Sequence, residues 1–421
     1  MPAVASSGSP TIASTPPAAT SPCAARQVLL VSIDSLRVDM PWNGYSREIA
    51  PYLTALSKKS ISYSHMYALS SYTAMSVGGL LSGRYPSELQ RDGYFFSRHA
   101  KGNLLFPEVL QQKGIQTLAV HAHGYFDPGR SGLEQGFDTW SVVPKLKWNS
   151  QTDENISGEA HEALFEKLFA EKVDAAKPFF AWTHFLDPHD RYLPHEGIKF
   201  GARARDLYDG EVAYTDRYVG KLIDYVRTKA PNAVVIVTAD HGEVFGEHGM
   251  FRHAFELWEP LVRVPFFVHL PNQTSAVEMA SNRSAIDVAP TILECLAASS
   301  DQFQGRGKSL IPEWTSLVTQ KPGAFVPEER GVYVDLPATS NSQERHAWIE
   351  GSKKIIRFTG GLSQAFDLAS DPEEKKPLEK SVRDELLTKM KAFERQLEFV
   401  GPSVCKEDCL EGKYLKQSPK P

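Results

Sequence analysis

The sequence predicts an α/β fold, in which a mostly parallel central sheet lies between helical layers and a small C-terminal antiparallel sheet with one helix follows. Short apolar runs alternate with amphipathic stretches from residue 26 to about residue 298, a pattern typical of parallel strands covered by helices on both faces. After Pro312 the apolar runs become shorter and more polar, as in antiparallel strands. The chain has 421 residues, 42% of them hydrophobic, enough for a large core.

Each predicted element rests on a local pattern. The strands of the first part are short apolar runs flanked by polar or turn residues: Gln27–Ile33, Gln116–His121, Phe179–Phe185, 233–238 and 264–269. The helices of this part are amphipathic stretches: 49–59, 73–81, 104–113, 158–175, 203–229 and 286–298. The last part has predicted strands at 331–335, 346–350 and 354–359 and a charged helix at 382–398.

The sequence divides into four parts. Residues 1–25 are rich in Ala, Ser, Thr and Pro, which predicts a disordered linker. The main domain is predicted over residues 26–311, a C-terminal subdomain packed on it over 312–400, and a tail over 401–421. A linker at the start of the sequence suggests a membrane anchor ahead of residue 1, and a natural unstructured terminus is the alternative.

The charge and the cysteines exclude some classes of protein. The formal net charge is −5, from 46 Lys and Arg against 51 Asp and Glu, so no strong field favours nucleic acid as a partner. The four cysteines are too few for a disulfide framework and lack the spacing of a zinc site. Cys405 and Cys409 are close enough in the tail to form a small disulfide, and two ordinary thiols are the equal alternative.

Acids and histidines come at the ends of three predicted strands. Asp34 follows the first strand, His184 and Asp187 come at and after the third, and Asp240 with His241 follows the fourth. Taken singly, an Asp after a strand often caps the next helix, and a lone His is more often packed than catalytic. Ligands of open α/β sheets, however, collect at the carboxyl ends of the strands. The coincidence therefore predicts a functional site at this edge.

Thr73 opens a predicted helix. A hydroxyl there sits among unpaired backbone N–H groups at the positive end of the helix dipole, which suits a nucleophile that attacks an anionic ester. Considered alone, Thr73 is better explained as a helix N-cap. Together with the strand-end residues, its oxygen adds to two carboxylates and one imidazole. Such a mixed set of ligands suits a divalent cation such as Zn²⁺ or Mn²⁺.

Six segments resemble, in order, the sulfatase branch of the alkaline phosphatase superfamily. They are residues 28–39 (VLLVSIDSLRVD), 184–189 (HFLDPH), 238–249 (TADHGEVFGEHG), 263–266 (RVPF), 287–293 (DVAPTIL) and 366–372 (FDLASDP). The resemblance implies an alkaline-phosphatase-like fold and a sulfatase-like catalytic domain over residues 26–311.

The nucleophile position of this family falls on Thr73. Sulfatases have Cys or Ser there, convert it to formylglycine, and have Pro and Arg where this chain has Met75 and Val77. Threonine cannot become formylglycine. The run TAMSV instead resembles the nucleophile region of the phosphoethanolamine transferases, and lipoteichoic acid synthases also use a threonine. The resemblance therefore implies a threonine nucleophile.

These enzymes imply a role for each candidate residue. The predicted metal ligands are Asp34, Thr73, Asp240 and His241. The predicted catalytic residues are Thr73 and His253, and the predicted substrate-binding residues are His184, His189 and Arg252. One divalent cation is expected, with Zn²⁺ or Mn²⁺ favoured over Ca²⁺ or Mg²⁺, because Ser35 stands where the usual sulfatase start has a second acid.

The sequence thus predicts a metal-dependent hydrolase or transferase of phosphate esters that acts through a covalent phospho-threonine at Thr73. The expected substrate is a phosphodiester or a phospholipid head group, and nucleic acid is not expected as a partner. One alternative is a catalytically inactive domain that binds a lipid or acts as a sensor. The other is a sulfate ester hydrolase with non-standard activation. An extracytoplasmic location, periplasmic or cell-surface, is expected, as for the soluble domain of a membrane protein.

Overall fold

The structure is a computed structural model that describes residues 22–147, 154–319 and 326–402. Its strands are β1 (Gln27–Ile33), β2 (Ile61–Tyr63), β3 (Met66–Tyr67), β4 (Gln116–His121), β5 (Thr139–Val142), β6 (Phe179–Phe185), β7 (Val234–Ala239), β8 (Val244–Phe245), β9 (Phe251–Arg252), β10 (Arg263–Val264), β11 (Phe266–His269), β12 (Val277–Met279), β13 (Arg283–Ser284), β14 (Val332–Leu336), β15 (Arg345–Glu350), β16 (Lys353–Phe358) and β17 (Ser363–Asp367). Its α-helices are α1 (Pro51–Ser57), α2 (Thr73–Ser82), α3 (Phe106–Gln112), α4 (Gly158–Lys172), α5 (Ala204–Lys229), α6 (Glu259–Val262), α7 (Val288–Cys295), α8 (Ile311–Thr319) and α9 (Lys380–Glu394).

A mostly parallel sheet forms the centre of the first part. Its strand order is β12-β2-β11-β7-β1-β6-β4-β5, and the pairs that include β11 are antiparallel. The central strands β1, β6 and β7 are buried along their whole length, because each is a continuous apolar run covered on both faces. Helix α5 contacts α1 and α4, and α2, α3 and α7 contact one another. The predicted α/β architecture is confirmed.

Of the eight predicted strands, three have the observed bounds, four are displaced by one residue at one or both ends, and one is divided in two. The predicted strand over residues 264–269 is wrong as a single element. Pro265 separates β10, which pairs with β3, from β11, which pairs with β7 and β2. Proline has no N–H to donate to a strand ladder, so the chain changes sheets at this point.

The C-terminal part is an antiparallel sheet with one covering helix, as predicted. Its strands pair in the order β14-β15-β16-β17, and α9 packs across β15, β16 and β17. The ring centroids of Trp348 and Phe393 are 5.1 Å apart in this contact. The sequence did not predict β17, because Ala365 and Phe366 are its buried residues and the rest of the segment is polar.

A disulfide that the sequence did not reveal closes the first part. Cys23 and Cys295 are bonded, with Cα atoms 5.1 Å apart, and both are buried. The folded part therefore includes residues 22–25, which corrects the predicted linker boundary at residue 25. A pairing across 272 residues cannot be read from local spacing. Residues 1–21 of the predicted linker and residues 403–421, with Cys405 and Cys409, lie outside the described residues.

The buried carboxylate of Asp335 links the C-terminal sheet to the first part. Asp335 on β14 accepts hydrogen bonds from the Ser87 N–H at 2.6 Å and the Ser87 hydroxyl at 2.8 Å. Its other close neighbour is His346 on β15, with Nδ1 at 3.4 Å. Burial lowers the pKa of His346, but hydrogen bonds with Asp335 and Glu344 outweigh burial and raise the pKa to about 9.

Stability is expected to fall as the pH rises from about 6.5 through about 9. The pKa of His346 in the folded protein is above its usual value, so its stabilising effect is complete below the unfolded pKa and is lost as the pH passes the folded pKa. The loss should reach about 1–3 kcal/mol, since one pKa unit corresponds to about 1.4 kcal/mol. Urea unfolding across this range measures it. His346→Gln should flatten the dependence, and an equally steep decline in that variant would contradict the assignment.

Candidate active site

Two carboxylates and an imidazole meet at the carboxyl ends of β1 and β7. These strands are parallel neighbours in which Ile33 pairs with Ala239, so Asp34 and Asp240 come next on adjacent strands. His241 follows directly. The ligand atoms of Asp34, Asp240 and His241 all lie within 4.8 Å of one another, and the three residues are buried. The three are called the ligand cluster below.

Thr73 joins the ligand cluster from the first turn of α2. The N-cap of α2 is Tyr72, whose backbone is extended, so Thr73 is not the capping residue. Its Oγ1 lies 3.3 Å from Asp34 Oδ2 and 3.2 Å from His241 Nε2. The hydroxyl therefore faces the carboxylate and the imidazole.

Close packing fixes the start of α2. Ser76 Oγ donates to the carbonyl of Ser70 at 2.9 Å and accepts from the Ser70 N–H at 3.0 Å. His99 lies against Gly78, where a Cβ would come within 2.5 Å of an imidazole carbon. His99 Nε2 is also 2.9 Å from the carbonyl of Ala74. These contacts hold the first turn of the helix against the sheet edge.

A backbone hydrogen bond sets the tautomer of His241. Its Nδ1 donates to the carbonyl of Gly242 at 2.9 Å, which leaves Nε2 without a hydrogen and facing Thr73. Burial lowers the pKa of His241, which favours the neutral ring. A neutral imidazole with its Nε2 lone pair directed at a cluster of oxygens is in the form that binds a metal ion.

His184 lies against both carboxylates of the ligand cluster. Its Nε2 is 3.4 Å from Asp34 Oδ2 and 3.9 Å from Asp240 Oδ2. Its Nδ1 is 2.8 Å from Ser32 Oγ, which accepts a hydrogen bond from Trp182 Nε1 at 2.9 Å. This chain of contacts from β6 to β1 fixes the direction of the ring.

The pKa values of the two carboxylates are shifted in opposite directions. Burial raises the pKa of Asp34, but His189, His184 and His241 outweigh burial and hold it well below its usual range. Burial, together with the charge of Asp34, raises the pKa of Asp240. Two carboxylates this close repel each other when both are ionised. A cation between them would remove that repulsion.

The residues present fit one divalent cation. Asp240 Oδ2 is buried and has no hydrogen-bond partner within the described part of the chain. An unpaired buried oxygen is destabilising, and a cation would satisfy it. Two carboxylates, one imidazole nitrogen and a hydroxyl form a donor set that suits Zn²⁺ or Mn²⁺. The structure brings together the four predicted ligands Asp34, Thr73, Asp240 and His241.

Three further histidines form a row that leads away from His241. The ring of His253 lies 4.4 Å from that of His241, His189 lies 4.9 Å from His253, and His123 lies 5.9 Å from His189. His253 Nδ1 is 3.2 Å from the buried carboxylate of Glu243, which orients the ring. The row offers ring N–H donors to an anionic group beside the ligand cluster.

The predicted substrate-binding residues occupy three different places. His184 lies against the carboxylates of the ligand cluster, and His189 is part of the row of histidines. Arg252 lies at the rim, because its side chain is 52% exposed and its Nε pairs with Asp190 at 3.1 Å.

Reasoning from the sequence missed two residues of the site, His123 and Glu243. His123 comes two residues after β4, so the strand-end rule that found Asp34 also applied to it. Glu243 stood in the segment 238–249 without an assigned role. Burial raises its pKa, but His253 outweighs burial and lowers it, so Glu243 is a carboxylate.

Two family profiles match the chain. The profile described as Sulfatase matches residues 26–298. The chain belongs to the sulfatase family. A profile described as N-sulphoglucosamine sulphohydrolase, C-terminal, matches residues 246–398 of this sulfatase-family chain. The resemblance to the sulfatase branch is confirmed, and the protein is a sulfatase-family hydrolase.

Relatives of this sulfatase-family chain match it over most of its length at low identity. A choline-sulfatase of Rhizobium meliloti is 21% identical over 425 residues, which cover 82% of this chain and 81% of that protein. A sulfatase of Formosa agariphila is 25% identical over 432 residues, with 82% of each chain covered. The solved structure of a phosphonate monoester hydrolase of Agrobacterium radiobacter has a TM-score of 0.70 at 17% identity and covers 89% of this chain and 96% of that chain. This likeness shows that the two share a fold.

Proposed function

We propose that the protein is a metal-dependent phosphoryl hydrolase or transferase with Thr73 as its nucleophile. The position of Thr73 Oγ1 carries the proposal, at the start of α2 and 3.3 Å from Asp34 Oδ2 and 3.2 Å from His241 Nε2. A hydroxyl in this place has a proton acceptor, a helix N-terminus and the proposed metal ligands within reach. The substrate is an ester of a phosphorus acid, such as a phosphodiester or a phospholipid head group.

The reaction proceeds in two steps. In the first, Thr73 Oγ1 bonds to phosphorus in line as the bond from phosphorus to the leaving oxygen breaks. The hydroxyl proton passes to Asp34, and His253, oriented by Glu243, gives a proton to the leaving oxygen. In the second step, water or an acceptor hydroxyl attacks the phospho-threonine and gives its proton to His253. The Oγ1–P bond breaks, and Thr73 takes back the proton from Asp34.

The remaining residues bind and orient the substrate. Asp34, Asp240 and His241 would hold the cation, which lowers the pKa of a hydroxyl and neutralises a phosphoryl oxygen when bound. His123, whose Nδ1 accepts from the N–H of Tyr125, donates its Nε2–H to a non-bridging oxygen. His189 does the same in its doubly protonated form, because its Nδ1–H donates to the carbonyl of Asp190. The backbone N–H groups at the start of α2 stabilise the same charge.

Threonine cannot release a bound group by the route that formylglycine offers. In a hydrated formylglycine, two oxygens share one carbon, so one of them can expel a bound sulfate without attack on sulfur. Thr73 has a single oxygen on Cβ. A covalent ester at Thr73 is therefore released only by attack on its phosphorus or sulfur atom, as in phospho-enzyme chemistry.

A second candidate function is sulfate ester hydrolysis with non-standard activation. Its support is the match to sulfatases over most of the chain, among them the choline-sulfatase. It requires attack on sulfur by Thr73 or by water, without formylglycine.

Three substrates with the same 4-nitrophenol leaving group test these functions. With Mn²⁺ or Zn²⁺ present, kcat/KM for the phosphodiester or the phosphonate monoester should exceed that for the sulfate by about tenfold or more, a difference of about 1.4 kcal/mol in the barrier. EDTA should abolish turnover, and added cation should restore it. Faster hydrolysis of the sulfate would favour the second candidate. Cation binding without turnover of any of the three esters would favour a catalytically inactive binding domain.

An extracytoplasmic location forms part of the proposal. Its support is the disulfide between Cys23 and Cys295, because disulfides persist in oxidising compartments. None of the helices in the described ranges combines the length and the apolar character needed to cross a bilayer. Reaction of Cys23 and Cys295 with a thiol reagent in freshly isolated, unreduced protein would contradict this location.

A further inference from the structure

Four aromatic residues form a continuous surface beside the site, here called the aromatic shelf: Tyr72, Phe95, Phe96 and Phe255. Tyr72 stacks on Phe95 with ring centroids 4.7 Å apart and planes 10° apart. Phe95 meets Phe96 edge-on at 5.2 Å and Phe255 nearly parallel at 6.4 Å. Phe255 is 43% exposed, so the shelf runs from the protein interior to solvent.

The aromatic shelf meets the site at two points. Tyr72 immediately precedes Thr73 and is the N-cap of α2. The ring of Phe96 lies 5.9 Å from that of His123, the last histidine of the row. A substituent of an ester whose phosphorus lies beside Thr73 and whose oxygens contact the histidines would have the shelf within reach.

One backbone hydrogen bond holds the outer ring of the aromatic shelf near the nucleophile. The N–H of Ala254 donates to the carbonyl of Ser71 at 3.0 Å, which ties the segment with His253 and Phe255 to the segment that precedes Thr73. Phe255 is two residues from His253, the proposed proton donor to the leaving oxygen. A leaving group that takes its proton from His253 would therefore lie on the side of Phe255.

We propose that the aromatic shelf binds the leaving group of the substrate and that this group is a planar aromatic ring, an inference that rests on the phosphoryl function proposed above and narrows its substrate to an aryl ester rather than a phospholipid head group. The three phenylalanine rings have no polar atoms, so they leave the hydroxyls of a sugar without partners. A planar ring packs against them in stacked or edge-on geometry. Covering the exposed part of the shelf also removes apolar surface from water. The shelf therefore selects aryl esters over sugar esters.

Two phosphodiesters that share a methyl group and differ in the leaving group test the aromatic shelf. On protein loaded with Mn²⁺ or Zn²⁺, Phe255→Ala should lower kcat/KM for methyl phenyl phosphate about five- to tenfold and change that for methyl trifluoroethyl phosphate by less than about twofold. Phe255→Tyr keeps a ring and should retain the wild-type preference. Phe251→Ala is the matched control, because Phe251 is 65% exposed and is not part of the shelf. Equal loss on both esters, or no loss on the phenyl ester, would overturn the inference.

Binding measurements separate this inference from the proposed function. Benzylphosphonate and methylphosphonate have the same anionic group, and neither has a leaving group. Calorimetry should show that the metal-loaded wild type binds benzylphosphonate more tightly than methylphosphonate. The ratio of the two affinities should be about fivefold or more smaller in Phe255→Ala. An unchanged preference in Phe255→Ala would overturn the shelf. A reduced preference without turnover of any phosphorus ester would support the shelf and contradict the phosphoryl function.

Discussion

Replacing Thr73 with alanine is expected to lower kcat by about a thousandfold or more, because the oxygen that forms the covalent bond is lost. The variant should still fold and bind the cation. Tyr72, not Thr73, is the N-cap of α2, and the ligand atoms of Asp34, Asp240 and His241 remain in place. Turnover assays measure the loss of kcat. Thermal unfolding with and without Mn²⁺ or Zn²⁺ measures folding and cation binding.

Thr73→Ser is the matched control for this prediction. It keeps the hydroxyl and loses only a methyl group, so activity should stay within about tenfold of the wild type. Acid quenching during turnover should trap a phosphorylated peptide that contains position 73 in the wild type and in Thr73→Ser. Thr73→Ala should yield none. Undiminished turnover in Thr73→Ala with the cation bound would rule out the threonine mechanism and leave direct attack by water.

The acids of the site could be predicted because parallel strands fix where their next residues lie. β1 and β7 are continuous apolar runs whose ends are visible in the sequence, and parallel pairing puts Asp34 beside Asp240. Thr73 required the strand-end residues and the family resemblance, since its local sequence alone is better explained as a helix cap. Its contact with His241 spans 168 residues. A local sequence pattern cannot predict a contact between residues so far apart in the chain.

Features that depend on contacts between distant segments could not be predicted. The disulfide joins Cys23 to a cysteine 272 residues away. The aromatic shelf depends on the hydrogen bond between Ala254 and Ser71, which no periodicity indicates. The break at Pro265 could have been predicted, because a proline ends the hydrogen bonding between two strands. The single strand was predicted because the residues on both sides of Pro265 are apolar.

Replacing Lys354 with methionine is expected to lower the free energy of unfolding by about 3–5 kcal/mol. Lys354 on β16 is fully buried, with Nζ 3.0 Å from Glu259 Oε1 and 2.9 Å from Glu374 Oε1. Glu259 begins α6, so the ion pair joins the C-terminal sheet to the first part. Methionine fills a similar volume but leaves two buried carboxylates without a cation. Urea unfolding of the two proteins at neutral pH measures the loss.

The loss in Lys354→Met should be smaller in acid than in base. Burial raises the pKa of Glu374 to about 7 even though Lys354 lowers it, and removing Lys354 removes the opposing charge. A carboxyl whose folded pKa is raised contributes stability that is complete below its unfolded pKa and lost as the pH rises through the folded value.

Adding Glu259→Gln and Glu374→Gln to Lys354→Met should recover most of the stability at neutral pH, because neutral amides need no cation. If Lys354→Met and the triple variant lose the same free energy of unfolding, packing around Lys354 rather than charge stabilises this contact.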